Sequence, residues 1–347
     1  MKEFTVKIKS LTPLWTGDAD RKNTTLRETG IIGSLRWWYE ALIRGLGGTA
    51  CDPTDTKCEG KNHCDACELF GCTGWARKFK LEINANGNEF FPLFFTTTID
   101  GNKWWLKKIY EHKEYVIWNN KSGIKLKFTI LRGDDDIEKI MNLILYIIGK
   151  YSGLGAKPQY GFGQVKVMET TKEMAKEGMK VLLNSIHKRN HSNNFPDFSD
   201  FFFFKFRIPS NNVVLNSFKN SKKIVGKLPK EWDWKFVPCA FDIRYKGEID
   251  NKICGLRKYF REKYGKKIAQ KIFGYSFPKD KRMGCNIFIS HPYRENNDEN
   301  YSFKAYGFLP KNNFLEYTEE IKKCLTNIFE VGPAEEKTGK EILGELK

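Results

Sequence analysis

The densest group of metal-binding side chains is a run of cysteines within residues 51–72. Its members are Cys51, Cys58, Cys64, Cys67 and Cys72, out of nine cysteines in the chain. Cys58, Cys64, Cys67 and Cys72 include one C-x-x-C pair, and four thiolates suit a tetrahedral Zn²⁺. We therefore treat these four as candidate ligands of a structural zinc that would hold a polar loop in place. The alternative is a set of reduced thiols, some of them buried.

A glycine-rich segment, residues 153–163, is the second feature with chemical potential. It does not match a nucleotide-binding P-loop, because no Gly-Lys pair is followed by Ser or Thr. Its glycines leave backbone N–H groups open to close approach by RNA, with Lys157 available to a phosphate and Tyr160 to a base. The alternative is a tight connection whose glycines adopt positive φ. The glycines are Gly153, Gly155, Gly161 and Gly163.

Basic side chains occur in two further patterns. Arg36, Glu40 and Arg44 are spaced by four residues, which fits either a phosphate-binding groove or a helix face with ion pairs. Residues 250–285 contain eleven Lys or Arg against three acids, an excess that favours a polyanionic partner. The candidate RNA contacts in this region are Arg257, Lys258, Arg261, Lys281 and Arg282.

The sequence contains few residues in an arrangement suited to catalysis. His187 and His191 are spaced by four residues but lie in a polar segment, which favours a solvated helix end over a catalytic pair. Asp18 and Asp20 lie in a loop where a carboxylate near RNA could assist cleavage, although polar turn residues are expected there in any case. We therefore expect no enzymatic activity and keep an endoribonuclease as the alternative.

The elements that would position these residues follow from hydrophobic periodicity. In the first half, residues 4–10, 79–83, 90–99, 125–131 and 164–168 have strand patterns, and helices begin near residues 34 and 137. In the second half, residues 201–208, 237–245, 286–293 and 301–309 have strand patterns, and residues 256–273 and 314–329 are helical. The order predicts an α+β protein with two tandem ferredoxin-like, RRM-like βαββαβ domains and antiparallel sheets.

The same pattern predicts the domain boundaries. We expect an N-terminal domain over residues 1–169, with the cysteine run as an insertion, and a polar connector over residues 170–199. A C-terminal domain follows over residues 200–331, and residues 332–347 read as a polar, frayed tail.

Composition narrows the class of protein. The chain of 347 residues is 40% hydrophobic, which excludes a disordered chain, and its net charge of +17 favours an anionic partner. Apolar runs are far shorter than the roughly 20 residues that span a bilayer, and no signal peptide is evident. We expect a cytoplasmic protein without a membrane partner.

Four motifs together resemble the RAMP superfamily of CRISPR proteins. They are Leu14-Trp15-Thr16-Gly17-Asp18, Ile32-Gly33-Ser34-Leu35-Arg36-Trp37-Trp38, the segment from Cys67-Glu68-Leu69-Phe70-Gly71 to Arg77-Lys78-Phe79, and residues 153–163. Within that superfamily they look like the family of first-numbered RAMP subunits of the type III-B Cmr effector complex. The motifs cover residues 1 to about 168, and the second half lacks an evident second glycine-rich loop.

The resemblance implies a non-catalytic, RNA-binding subunit of an RNA-guided complex in antiviral defence, with guide RNA, target RNA and other RAMP subunits as partners. No cofactor is required beyond a possible structural zinc. On this reading Arg36, Arg44, Arg77, Lys78 and Lys157 contact phosphates, and Trp37, Trp38 or Tyr160 stacks on a base. A protein-interaction module without RNA affinity of its own is a further alternative.

Overall fold

The molecule contains two four-stranded antiparallel sheets, each carrying helices. The computed structural model describes residues 2–17, 25–52, 58–85, 90–91, 95–97, 117–118, 123–133, 135–187, 196–209, 223–225, 240–245, 248–249, 252–253, 255–275, 283–295 and 298–347. The helices are α1 Glu28–Gly45, α2 Asp65–Phe70, α3 Asp136–Tyr151, α4 Lys172–Ser185, α5 Ala240–Tyr245, α6 Leu256–Phe273, α7 Phe314–Phe329 and α8 Gly339–Leu346.

Each of the two main sheets has four strands. In the N-terminal domain they are β1 Glu3–Ser10, β2 Phe79–Asn84, β6 Ile124–Ile130 and β7 Val165–Val167. In the C-terminal domain they are β8 Phe201–Ile208, β12 Ile287–Ile289, β13 Tyr301–Phe308 and β14 Glu335–Thr338. The short strands are β3 Phe90–Phe91, β4 Phe95–Thr97, β5 Ile117–Trp118, β9 Lys223–Val225, β10 Glu248–Ile249 and β11 Lys252–Ile253.

The N-terminal sheet has the strand order β2-β6-β1-β7, with every neighbouring pair antiparallel. This is the order of a ferredoxin-like domain, in which the first strand lies between the third and the fourth. Val6 and Ile8 alternate with exposed or half-exposed residues along β1, so one face of the strand faces the core. That core is completed by the buried sides of α1 and α3.

The C-terminal sheet repeats the arrangement, with the order β12-β13-β8-β14 and antiparallel pairing throughout. The prediction of tandem ferredoxin-like α+β domains is therefore confirmed. The helices that accompany this sheet are α6 and α7, whose apolar residues form a second core with β8, β12 and β13.

Strand β8 joins the two cores. Its consecutive phenylalanines point alternately to opposite faces of the sheet, because side chains alternate along a strand. Phe201 and Phe203 pack into the core shared with the N-terminal domain, whereas Phe202, Phe204 and Phe206 pack into the core of the C-terminal domain. Both faces of the first half of this strand are therefore buried, which explains the unbroken apolar run over residues 201–204.

The prediction of a frayed polar tail over residues 332–347 is wrong. Strand β14 pairs with β8 and supplies the fourth strand of the C-terminal sheet. Helix α8 follows directly, with a capping box between Thr338 and Glu341, and it buries Ile342 and Leu343. The charged residues of this segment lie on its outer face. They dominate its composition, and that composition indicated a polar tail.

Three other local predictions need correction. Residues 240–245 form the short helix α5 rather than part of a strand over residues 237–245, because a short apolar alternation does not separate the two states and tertiary contacts decide. Within the expected connector, α4 packs on α3 through Ala175, Met179 and Leu182. The expected strand over residues 90–99 is represented by the short strands β3 and β4, outside the four-stranded sheet.

In the described part of the chain, no helix combines the length and the apolar character needed to cross a bilayer.

Candidate functional site

A large cleft of about 1030 Å³ lies between the two domains. From the N-terminal domain it is lined by the start of α1 and by the glycine-rich segment, and from the C-terminal domain by both ends of α6 and the residues before β12. Its volume is at the upper end of the roughly 300–1,000 Å³ typical of ligand sites. The polar and aromatic side chains that line it include Ser34, Trp37, Gln159, Tyr160, Arg244, Arg257, Gln270 and Tyr275.

Hydrogen bonds attach the first part of the glycine-rich segment to α1. The indole Nε1 of Trp38 donates to the carbonyl oxygen of Gly153 at 3.0 Å, and the Gly155 amide donates to Ser34 Oγ at 2.9 Å. Gly155 has a φ of +86°, and a Cβ atom there would lie 2.6 Å from the carbonyl oxygen of Trp15. Glycine at this position therefore allows the backbone to form the wall of the cleft, which Gly153 and Gly155 both line, and their contact with RNA stays a prediction.

The second part of the segment serves packing instead. A Cβ atom at Gly163 would lie 2.2 Å from the Leu154 carbonyl oxygen, and one at Gly161 would lie 2.6 Å from Ala240 Cβ. Both glycines have positive φ, near +90°, and neither lines the cleft. Gly161 and Gly163 therefore fit the alternative interpretation, a tight connection whose glycines adopt positive φ. Their expected contact with RNA is not supported.

Lys157 points away from the cleft. Its Nζ lies 3.2 Å from the ring centroid of Trp15, a cation–π contact, and burial lowers the pKa of Lys157 to about 8. The neighbouring Gln159 and Tyr160 line the cleft in its place. The prediction that Lys157 offers its charge to a phosphate is thus not borne out by its position.

Arg36 and Arg44 are engaged inside the N-terminal domain. Arg36 Nε lies 2.7 Å from Glu40 Oε1, and its Nη1 donates to the Gly71 carbonyl oxygen at 2.9 Å. Arg44 donates to the Pro196 carbonyl oxygen at 3.1 Å, and only 9% of its side chain is exposed. Burial raises the pKa of Glu40, which the hydrogen bond from Arg36 opposes. The ion-pair alternative therefore applies, and the prediction of phosphate contact by Arg36 and Arg44 is wrong.

Trp37, the neighbour of Arg36, is half-buried and lines the cleft. Its ring packs edge-on against Trp38 and Phe308, with centroid distances of 4.7 and 5.6 Å. These contacts fix the plane of the indole before any ligand binds. Trp37 therefore presents a fixed indole to the cleft, and its stacking on a base stays a prediction.

Arg77 and Lys78 lie at the start of β2, outside the cleft. Arg77 Nε donates to the Phe79 carbonyl oxygen at 2.9 Å, and Lys78 forms an ion pair with Glu68. Their basic groups thus stabilise the turn after α2. The structure does not bring them together with the other predicted RNA contacts.

The C-terminal candidates divide into three groups. Arg257 lines the cleft, and its Nη2 donates to the Gly274 carbonyl oxygen at 3.0 Å. Lys258 pairs with Glu262 at 3.6 Å and Arg261 is exposed, both on α6 but away from the cleft lining. Lys281 and Arg282 lie outside the described residues.

Arg244 was missed by the sequence reasoning. It is fully buried in α5, and its guanidinium donates to three carbonyl oxygens: Gln159 at 3.1 Å, Ile287 at 3.1 Å and Phe273 at 3.2 Å. The only signal in the sequence is a basic residue within an apolar alternation, and that pattern indicates a solvated face more often than a buried junction.

A cluster of four thiols lies beside α1. The Sγ atoms of Cys51, Cys58, Cys64 and Cys67 all lie within 4.8 Å of one another. Cys72, predicted as the fourth ligand, lies outside this group because Gly71, with a φ of +83°, ends α2 and redirects the chain. Cys51 takes its place, which corrects the predicted set of ligands in one position.

Of the residues considered for RNA cleavage, the structure describes His187. The His187 ring pairs with Asp65, with 3.0 Å between Nδ1 and Oδ1, and that carboxylate also accepts from Thr49. Asp18, Asp20 and His191 lie outside the described residues. Nothing among the described residues joins His187 to a second acid–base group in the cleft.

Two ferredoxin-like domains, with a glycine-rich segment between α3 and β7 of the first, define an α+β protein of RRM-like architecture. Residues 7–166 match the family model of the RAMP superfamily, the superfamily that the motifs predicted. The chain is also similar in structure to crystalline Cmr1 from Pyrococcus furiosus in its apo form. That similarity has a TM-score of 0.45 and 14% identity, and covers 90% of this chain and 89% of that chain. A comparison with curated protein sequences found no match.

Proposed function

We propose that this protein is a non-catalytic RNA-binding subunit of a type III-B CRISPR (Cmr) RNA-guided effector complex in antiviral defence. The observation that carries the proposal is the cleft between the domains, whose lining combines aromatic rings, glycine backbone and arginine. The match of residues 7–166 to the RAMP superfamily and the motifs of the N-terminal domain supply the class of complex.

The lining of the cleft suits single-stranded RNA. Trp37, Tyr160 and Tyr275 offer aromatic faces on which bases can stack, a contact worth about 1–3 kcal/mol per base. Arg257 offers a cation to a phosphate, and Gln159 and Gln270 offer amide groups to base edges. Among the described residues that line the cleft, none is acidic. A polyanion can therefore enter without meeting a like charge.

The partners follow from this class of complex. Base pairing between a guide RNA and a target RNA would read the sequence, so the protein would read backbone and shape. The net charge of +17 favours such a role, because it attracts polyanions without regard to sequence. Other RAMP subunits would complete the complex, and the described residues offer no assembled catalytic group for cleavage.

Binding of end-labelled single-stranded RNA and RNA duplex over a salt series tests this proposal. We expect affinity that falls steeply with salt, while the RNA stays intact on a denaturing gel. Specific shortening of the RNA would instead establish the endoribonuclease. Tight binding to partner subunits, with no RNA affinity alone or in the assembled complex, would establish a protein-interaction module.

A further inference from the structure

The cluster of Cys51, Cys58, Cys64 and Cys67 has the arrangement of a metal centre. A tetrahedral Zn²⁺ with bonds of about 2.3 Å to sulfur separates its four sulfur atoms by roughly 3.8 Å. The four Sγ atoms here lie within 4.8 Å of one another, and those of Cys51 and Cys67 are 3.5 Å apart. We propose that these four cysteines bind one structural Zn²⁺, a site independent of the RNA-binding proposal.

Backbone amides already point at the sulfur atoms. The Cys51 and Cys67 amides donate to Cys64 Sγ at 3.3 and 3.4 Å, and the Cys64 amide donates to Cys58 Sγ at 3.4 Å. Such donors stabilise a thiolate and hold it in one orientation, as the outer shell of a metal site does. The hydrogen bonds therefore favour thiolate ligands over neutral, loosely packed thiols.

Arg36 supplies a compensating positive charge. Its Nη2 lies 3.3 Å from Cys67 Sγ and 3.9 Å from Cys51 Sγ. Four thiolates around Zn²⁺ carry two net negative charges, and a guanidinium against two of the sulfurs offsets part of that charge. This contact also explains why Arg36, which the sequence suggested as a phosphate contact, points into the domain.

The surrounding chain holds the ligands in position. Cys64 caps α2 and Cys67 lies in its first turn. Asp65, the first residue of α2, anchors the loop that precedes the helix. Its Oδ2 accepts hydrogen bonds from the amide and the hydroxyl of Thr49 at 2.6 and 2.8 Å. His63 is not a ligand, because its Nδ1 and Nε2 contact the Gly60 carbonyl oxygen and Glu68.

A sulfur-only tetrahedral set selects zinc or iron over the hard cations Mg²⁺ and Ca²⁺. Binding of Zn²⁺ displaces the thiol protons to solvent and joins the loop at Cys51 and Cys58 to α2. Through Arg36, the site would also brace α1 on the side away from Trp37 and the cleft.

Metal analysis of the full-length protein, purified under reducing conditions without chelator, tests the site. We expect about one zinc per chain, released by a mercurial thiol reagent. Cys51→Ser is expected to lose most of this zinc, whereas the control Cys72→Ser keeps it. Co²⁺ added to metal-stripped wild-type protein is expected to give tetrahedral visible bands and thiolate-to-cobalt charge-transfer bands.

The cobalt spectrum is measured on the wild-type chain, so the test remains decisive if a cysteine variant fails to fold. Absence of both zinc and a tetrathiolate cobalt spectrum would overturn the proposal. So would bound iron in place of zinc, a disulfide between Cys51 and Cys67, or equal zinc loss in Cys51→Ser and Cys72→Ser. RNA binding is not a readout here, so failure of this site and failure of the proposed function are distinguishable.

Discussion

Arg244 of the C-terminal domain donates a hydrogen bond from Nη1 to the carbonyl oxygen of Gln159, at 3.1 Å, in the glycine-rich segment of the N-terminal domain. The same guanidinium also bonds to the Phe273 carbonyl oxygen at 3.2 Å, and both acceptor residues line the cleft. One buried side chain therefore fixes the distance between the two walls of the candidate RNA site.

Arg244→Lys is expected to lower the free energy of unfolding by about 2–4 kcal/mol, because one ammonium cannot replace a planar fork that serves several carbonyl oxygens. Urea unfolding followed by circular dichroism measures the change. Arg207→Lys is the matched control, since Arg207 is half-exposed and paired with Asp298, and a change of at most about 1 kcal/mol is expected. Equal losses in both variants would refute a special role for Arg244.

Arg257→Gln is expected to weaken RNA binding and to reduce the slope of log affinity against log salt by about 0.7 for single-stranded RNA, the effect of one lost phosphate contact. Lys180→Gln removes the same charge from an exposed position on α4, away from the cleft, and serves as the control. Filter binding over a salt series measures both variants. If the two slopes change equally, only overall charge matters and the cleft is not the RNA site.

The stability of the protein is expected to rise between pH 7 and 9, in part through Lys304. Its Nζ is buried between the domains and donates to the Gly149 carbonyl oxygen at 2.7 Å. Burial lowers the pKa of Lys304 to about 7; the neighbouring charge of Lys205 also lowers it, whereas Glu295 and Glu335 oppose the shift. Above this pKa the unfolded chain binds more protons than the folded chain, so the free energy of unfolding increases with pH.

Replacing Lys304 with Met should flatten that rise, by at most about 1.4 kcal/mol per pH unit for one proton. Denaturant unfolding at several pH values between 7 and 9 measures the slope. Lys180→Met, at an exposed position, should leave the slope unchanged. A wild-type slope in Lys304→Met would mean that Lys304 does not titrate in this range.

Ile342→Ala, in α8, is expected to cost about 2–4 kcal/mol of unfolding free energy, because it leaves a cavity in a core that includes β8. Leu315→Ala removes the same number of carbon atoms from a side chain that is 77% exposed, and a change within about 0.5 kcal/mol is expected. Thermal or urea unfolding compares the two. Similar stability of both variants would restore the description of this segment as a dispensable tail.

Hydrophobic patterns in the sequence predict a helix or strand well where only one face of that element is buried. Alternation along β1 and the helical spacing of apolar residues in α3 and α7 each report a single buried face, so these elements were predicted within a few residues. The pattern failed for β14, whose charged side chains outnumber its apolar ones because it is an edge strand.

The candidate site was only partly predictable. Gly153, Gly155, Tyr160 and Arg257 line the cleft, and their contact with RNA stays a prediction. Arg36, Arg44 and Lys157 turn inward, because carbonyl oxygens, carboxylates, sulfur atoms and an indole ring lie within their reach. A Lys or Arg side chain can be exposed to solvent, or its donors can be engaged in hydrogen bonds within the fold. The residue type alone does not distinguish the two.

The sequence by itself determined the βαββαβ order of the N-terminal domain, a second α+β half, a basic chain, a glycine-rich segment and a cysteine-rich insertion, because these depend on composition and on periodicities of two to four residues. Only the tertiary structure decided that Cys51 replaces Cys72 in the thiol cluster, and that Arg244 joins the domains. Both features depend on contacts between side chains that are far apart in the sequence and that the path of the loops brings together. The spacing of residues along the chain does not predict that path.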